Sequence, residues 1–410
     1  MYTFKPLVFT EHSSSSVTRP EEIRDHHPFI IHCDDKNVYA HNGDFLESLT
    51  QTGIPNIWVY NLARQQWRLI RDEINLPNDG DFILSIFFES NHLYIFTIKR
   101  PYGYNVNPNR TCRIYIYDLN TKSVVIRETS GQIPYPLLPL EMIRHGNYFY
   151  IVGITDDLGE SSNVYRLNME NGIWEAFYTC EELDNEYSSI PRSRYTLVYG
   201  NNIIYKFGDN LQVLGFDLYS FVSISAFDLE KCRWKIVDTH GDENHIPQYP
   251  TKREKYSVTS YTDPVTGEIN VIMSGGADYS WRDAYDHFED TLLPEQKFVV
   301  AYNDVWRLNL TSLKWTCLDK FGIVLPHCVE NHSMAISPAG KLFTFGKSIF
   351  NDRNQRITTS SLHSAWLRIP KLTDICWEAI FYYYPNLKSM TDKEITSLGI
   401  PLKLFKSRID

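Results

Sequence analysis

No stretch of this 410-residue chain approaches the roughly eighteen consecutive apolar residues of a membrane-spanning helix, so no helical membrane anchor is expected. The start, MYTFKPLVFTEHSSSS, lacks a basic region followed by an apolar run, so no secretory leader is expected either. Basic charge is short: 40 Lys and Arg against 50 Asp and Glu leave a net charge of -10, which argues against gripping nucleic acid through a broad basic surface. The 7 cysteines (Cys33, Cys112, Cys180, Cys232, Cys317, Cys328 and Cys376) are scattered without metal spacing. That usage points to free thiols in a reducing compartment, cytoplasmic and/or nuclear. The 13 histidines include no His-x-x-x-His and no Cys-His cluster. No metal, cofactor or catalytic set is therefore expected, and the chain reads as a non-enzyme. His12, His26 and His27 fall in a polar stretch and are expected to be solvated. Helical periodicity is missing upstream of residue 370.

What the chain does have is aromatic residues, 14% of the total with 27 Tyr and 22 Phe, a composition that favours strands. They fall into a repeat. Tyr60-Asn61-Leu62 is followed by Trp67, Tyr117-Asp118-Leu119 by Val124, Leu167-Asn168-Met169 by Trp174, Phe227-Asp228-Leu229 by Trp234, and Leu308-Asn309-Leu310 by Trp315. The constant gap fits a hairpin turn, and it sets the aromatic to pack between neighbouring sheets. Ahead of these marks lie apolar runs, often ending in Gly: Val38–Ala40, Leu93–Phe96, Tyr148–Val152, Ile203–Phe207, Val271–Met273 and Leu342–Phe345. Six such units predict an all-β fold, a six-bladed β-propeller over residues 30–370. The segment 1–29 is expected to supply a ring-closing strand from its apolar run, Thr3 to Thr10.

Residues 371–410 read as a short helical tail. Leu372, Cys376 and Ile380 recur every four residues, and Thr391 with Glu394 forms a capping-box signature. Pro385 and Gly399 end the first two helices, and Ile400-Pro401 opens a third segment that carries Leu404. An apolar side on each helix suggests a module that docks on another protein. The plain alternative is a tail packed on its own body.

The repeat resembles the kelch propeller, whose Gly-Gly mark survives in full at Gly275-Gly276. The stretches Asn303–Leu310, Ile336–Gly340 and Phe381–Leu387 are similar to those of kelch-repeat substrate receptors of cullin-2 ubiquitin ligases. Leu372, Cys376 and Ile380 resemble the BC box that binds elongin C, with Lys371 where Ser, Thr or Pro is usual. Ile400, Pro401 and Leu404 resemble the core of a cullin-2 box. The resemblance implies a non-catalytic receptor with elongin B/C and cullin 2 as partners. It also implies recognition of free substrate C-termini, often ending in Gly. Capture of such a carboxylate asks for Arg forks and hydroxyls on converging loops. Candidate ligand-binding residues are Arg192 and Arg194, Arg253 and Lys255, Ser280, Trp281 and Arg282, and Ser333. Arg282 and Ser333 match positions that the similar receptors keep. Each Arg has a plain alternative as a solvated loop charge or a salt bridge between blades. The acidic insertion over 278–300 reads as a lid or as a decorative loop. The rival function is a kelch scaffold for a cytoskeletal or signalling protein.

Overall fold

The computed structural model describes residues 7–12, 14, 20, 29–42, 57–70, 81–89, 91–99, 112–134, 141–152, 163–179, 195–208, 221–278, 300–346, 348–350, 356–384 and 386–409. It is a ring of six antiparallel meanders. Blade one comprises Phe29–Cys33, Asn37–Asn42, Ile57–Asn61 and Gln66–Leu69. Blade two comprises Asp81–Glu89, His92–Lys99, Cys112–Asp118 and Val124–Gly131. Blade three comprises Met142–His145, Tyr148–Val152, Val164–Asn168 and Ile173–Tyr178. Blade four comprises Thr196–Gly200, Ile203–Phe207, Ser223–Asp228 and Arg233–Asp238. Blade five comprises Ser257–Thr262, Ile269–Ser274, Val305–Asn309 and Lys314–Cys317. Blade six takes Ser333–Ile336, Lys341–Phe345 and Leu362–Trp366 from its own repeat and its outer strand, Thr10–His12, from the other end of the chain.

The second strands show why the runs are apolar throughout rather than alternating. Each is sandwiched between two neighbouring blades. In Tyr148–Val152, Phe149 and Ile151 join a cluster shared with blade two, while Tyr150 and Val152 join one shared with blade four. Six such clusters, one at every junction, close the circle from blade one through blade six and back. The Trp register has a direction as well: each aromatic packs on the preceding blade. Trp67 lies against blade six, Trp174 against blade two and Trp315 against blade four. Their ring N–H groups are satisfied too, Trp174 Nε1 donating to Thr129 Oγ1 at 3.1 Å and Trp315 Nε1 to the Phe221 carbonyl at 3.0 Å.

The closing strand forms over Thr10–His12, three residues that overlap the expected run only at Thr10. It pairs Thr10 with Ser364, Glu11 with His363 and His12 with Leu362. His12 is therefore not solvated, contrary to the sequence expectation. Its ring lies 5.9 Å from both Tyr60 and Phe343, and its Nε2 is 2.7 Å from Ser364 Oγ. Strand alternation turns Glu11 outward and drives His12 into the junction of blades six and one.

The inner strands begin on one face of the ring, here called upper, and end on the lower face. The chain leaves blade six at Trp366 on the lower side and forms three helices: α1 (Leu372–Tyr383), α2 (Asp392–Ser397) and α3 (Leu402–Ile409). The capping box at α2 is complete, with Thr391 and Glu394 each bonding the other's backbone. Glu378 of α1 ties the tail to blade six by accepting from Lys341 Nζ at 2.7 Å and Trp366 Nε1 at 2.9 Å.

Candidate functional site

The kelch glycines organise the upper face at the junction of blades five and six. Gly275 and Gly276 adopt φ of +60° and +90°, a region that suits glycine. A Cβ on Gly275 would stand 2.7 Å from the Val329 carbonyl, and one on Gly276 would stand 2.7 Å from the Glu254 carbonyl. Without side chains, three backbones meet: Gly276 N–H donates to Val329 O at 2.7 Å, while Ala277 and Glu254 exchange bonds of 2.8 and 2.9 Å. The lead-ins of blades five and six are thereby fixed against the same turn.

Three of the expected ligand-binding residues lie among the described ones, and all three gather near this turn. Arg253 does not offer a free fork. Its guanidinium has a two-pronged ion pair with Asp304, donates to Gly275 O at 3.2 Å and Thr251 O at 2.8 Å, and stacks 3.9 Å over Tyr302. With the side chain fully buried, it holds blade five together, as a salt bridge within one blade rather than the bridge between blades that the plain alternative expected. Lys255 is placed on the junction, 3.7 Å from the buried Glu330 carboxylate, and its carbonyl accepts from Asn331 N–H at 3.0 Å. Ser333 opens the inner strand of blade six, and its Oγ accepts from Ile31 N–H of blade one at 3.2 Å. Arg192, Arg194, Ser280, Trp281 and Arg282, with nearly all of the 278–300 insertion, lie outside the described residues.

The sequence reading missed Asp304 and the role of His332. His332 is buried against the doublet, with Nε2 2.9 Å from Ser274 Oγ. Burial pushes its pKa down to about 3. On the lower face, a depression of about 310 Å³ opens between blades one, two, five and six, lined in part by Cys33, Phe88, Tyr261, Ser337 and Arg368. The Arg368 guanidinium there is engaged with the Ala339 carbonyl, through Nε at 3.1 Å and a terminal nitrogen at 2.8 Å.

The tail divides the two boxes between surface and interior. Leu372 is 73% exposed, and Cys376 is exposed as well. Ile380 turns toward the tail's own core with Trp377 and Phe381. Ile400 is not available as a docking contact. It is buried with Leu387, Ile395 and Phe405, because the turn after Gly399 folds α3 back on α2. Pro401 is exposed and Leu404 half-buried.

A family profile described as the KLHDC2/KLHL20/DRC7 Kelch-repeats domain matches residues 26–276. Among curated relatives, Kelch domain-containing protein 10 homolog of Drosophila melanogaster is 26% identical over 369 residues, covering 86% of this chain and 55% of that protein. The chain thus spans about half the length of that relative. Kelch domain-containing protein 10 of Xenopus laevis is 23% identical over 389 residues, 91% of this chain and 83% of that one. The Homo sapiens protein of the same name is 22% identical over 402 residues, 95% and 80%.

Proposed function

Because the chain belongs to the KLHDC2/KLHL20/DRC7 kelch-repeat family, we propose that it is a non-catalytic substrate receptor of an elongin BC–cullin-2 ubiquitin ligase. The propeller takes protein substrates by their C-termini on its upper face, most suitably ones ending in Gly, and the helical tail takes the ligase. The observation that carries this reading is the exposed Leu372 and Cys376 on α1. Large apolar groups left in water on a helix whose other side is already packed suit a partner pocket. Glu378 holds that helix against the lower side of blade six, so the two partners would be kept on opposite faces.

Two measurements test the two halves. Leu372→Ala with Cys376→Phe is expected to abolish co-purification with elongins B and C while the propeller keeps its melting temperature. Equal elongin recovery would reject the ligase reading. A peptide ending in a free Gly carboxylate is expected to bind more tightly than its amide by tens-fold, as loss of one charge-assisted contact of about 2 kcal/mol implies. Indifference to amidation would favour the scaffold reading, which the inward turn of Ile380 and Ile400 also supports.

A further inference from the structure

The upper side of blade six encloses a cavity of about 70 Å³ that the proposed contacts do not use. Among the described residues its wall is lined by His327, His332, His363, Glu11, Thr359 and Ser361, and by no Lys or Arg. His332 is 4% exposed, and its Nδ1 has no hydrogen-bond partner. The tautomer follows from its neighbour. Ser274 Oγ lies 2.9 Å from both His332 Nε2 and the Met334 sulfur. A thioether only accepts, so the tautomer that lets the single hydroxyl proton serve the sulfur has Nε2 donating to Oγ. Nδ1 then bears a lone pair. The reverse assignment would strand a buried N–H donor, the scarcer defect in folded proteins. Burial also lowers the pKa of His363, so the wall stays rich in neutral acceptors. Glu11 supplies a negative charge, its Oε1 accepting from Ser361 Oγ at 2.9 Å.

An acceptor-lined cavity with one carboxylate, in a chain of net charge -10, suits a small cation. A transition-metal ion would need three or more donors about 2.0–2.3 Å from one point. Among the described residues, no three His, Cys, Asp or Glu side chains are so placed. An ammonium has three N–H donors and reaches acceptors at about 2.7–2.9 Å, so it tolerates the wider spacing. We infer that this cavity binds a primary ammonium group, the head of a lysine side chain or a free amine, between the His332 imidazole and the Glu11 carboxylate. On a receptor of protein tails it would give a second contact on the same face. Because the probe below is a simple amine, failure of this inference and failure of the C-terminal reading are seen separately.

The test is a titration of the full chain, labelled at histidine, with methylammonium chloride, followed at the His332 Cε1–H resonance, which the His332→Gln variant assigns. A saturable shift is expected with methylammonium and none with tetramethylammonium, which cannot donate. Glu11→Gln, a change at an exposed position, is expected to weaken the response about tenfold, as loss of a charged hydrogen-bond partner does. No shift, or equal shifts with both salts, would overturn the inference and leave the cavity to water or to ionic strength alone.

Discussion

Arg253 and Asp304 form a two-pronged ion pair between residues 51 apart in sequence, and Asp304 also accepts from Trp306 Nε1 at 2.8 Å. Removing one partner of such a pair leaves the other charge without compensation in a largely buried site. Arg253→Met is therefore expected to cost about 3–5 kcal/mol of stability by chemical denaturation. Arg253→Lys should recover only part of it, since an ammonium cannot reproduce the planar fork or the stacking on Tyr302. A variant that loses peptide binding but keeps its unfolding midpoint would return Arg253 to the ligand site.

The glycine doublet makes a sharper demand than composition suggests. Gly276→Ala would combine a left-handed backbone with a Cβ 2.7 Å from the Glu254 carbonyl. A loss above about 1 kcal/mol is expected, beyond the ordinary cost of alanine at positive φ. Gly146→Ala also carries the cost of positive φ, at +58°, but meets nothing within 4 Å. Equal losses at both positions by thermal denaturation would show that the close approach at Gly276 is unimportant.

In the tail, Ile400 and Pro401 should behave differently. Ile400→Ala opens a hole in the small core of α1, α2 and α3, and is expected to cost about 2–4 kcal/mol of tail stability. Hydrogen exchange at Ile395 and Phe405 would register it. Pro401→Ala, at an exposed position, should leave that exchange unchanged and reduce only cullin-2 recovery. Protection lost equally in both would remove Pro401 as a selective probe.

Acid should loosen the ring at its closure. Burial lowers the pKa of His12 to about 3, of His32 to about 4 and of His332 to about 3, from 6.5. Each is neutral when folded and protonates more readily once unfolded, so between pH 6.5 and about 3–4 the unfolded chain binds more protons. Stability from these groups is complete above pH 6.5 and drains as pH falls through that window, by on the order of 1 kcal/mol per pH unit for each histidine. His12→Gln should reduce this slope across the whole window in urea titrations. An unchanged slope would mean that His12 is solvated after all.

The ring was readable because its logic is local. A strand packed on both faces has to be apolar at every position, and a hairpin of constant length puts Trp at a constant distance. Nothing comparable marked Arg253 as internal. In sequence it sits in a polar loop like any other, and its partner Asp304 lies beyond an acidic insertion. His12 failed for the same reason, since its hydroxyl partner, Ser364, is 352 residues away. The tail shows a different limit. A stripe such as Leu372, Cys376 and Ile380 records which residues avoid water, and it does not record whose surface covers them. The turn that buries Ile400 settles that only in three dimensions.

The strand Thr10–His12 also sets an order of events during synthesis. It leaves the ribosome before any of the blades, yet its hydrogen-bonding partners, Leu362–Ser364, are made only after five blades have followed it. Until then the first blade has no neighbour on one side, and Tyr60 and Trp67 wait uncovered for Phe343 and Phe345. The nascent chain is thus an open arc until Leu362–Ser364 is made. A chain cut short before Leu362 lacks the strand that Thr10–His12 pairs with, so its ring has no closure.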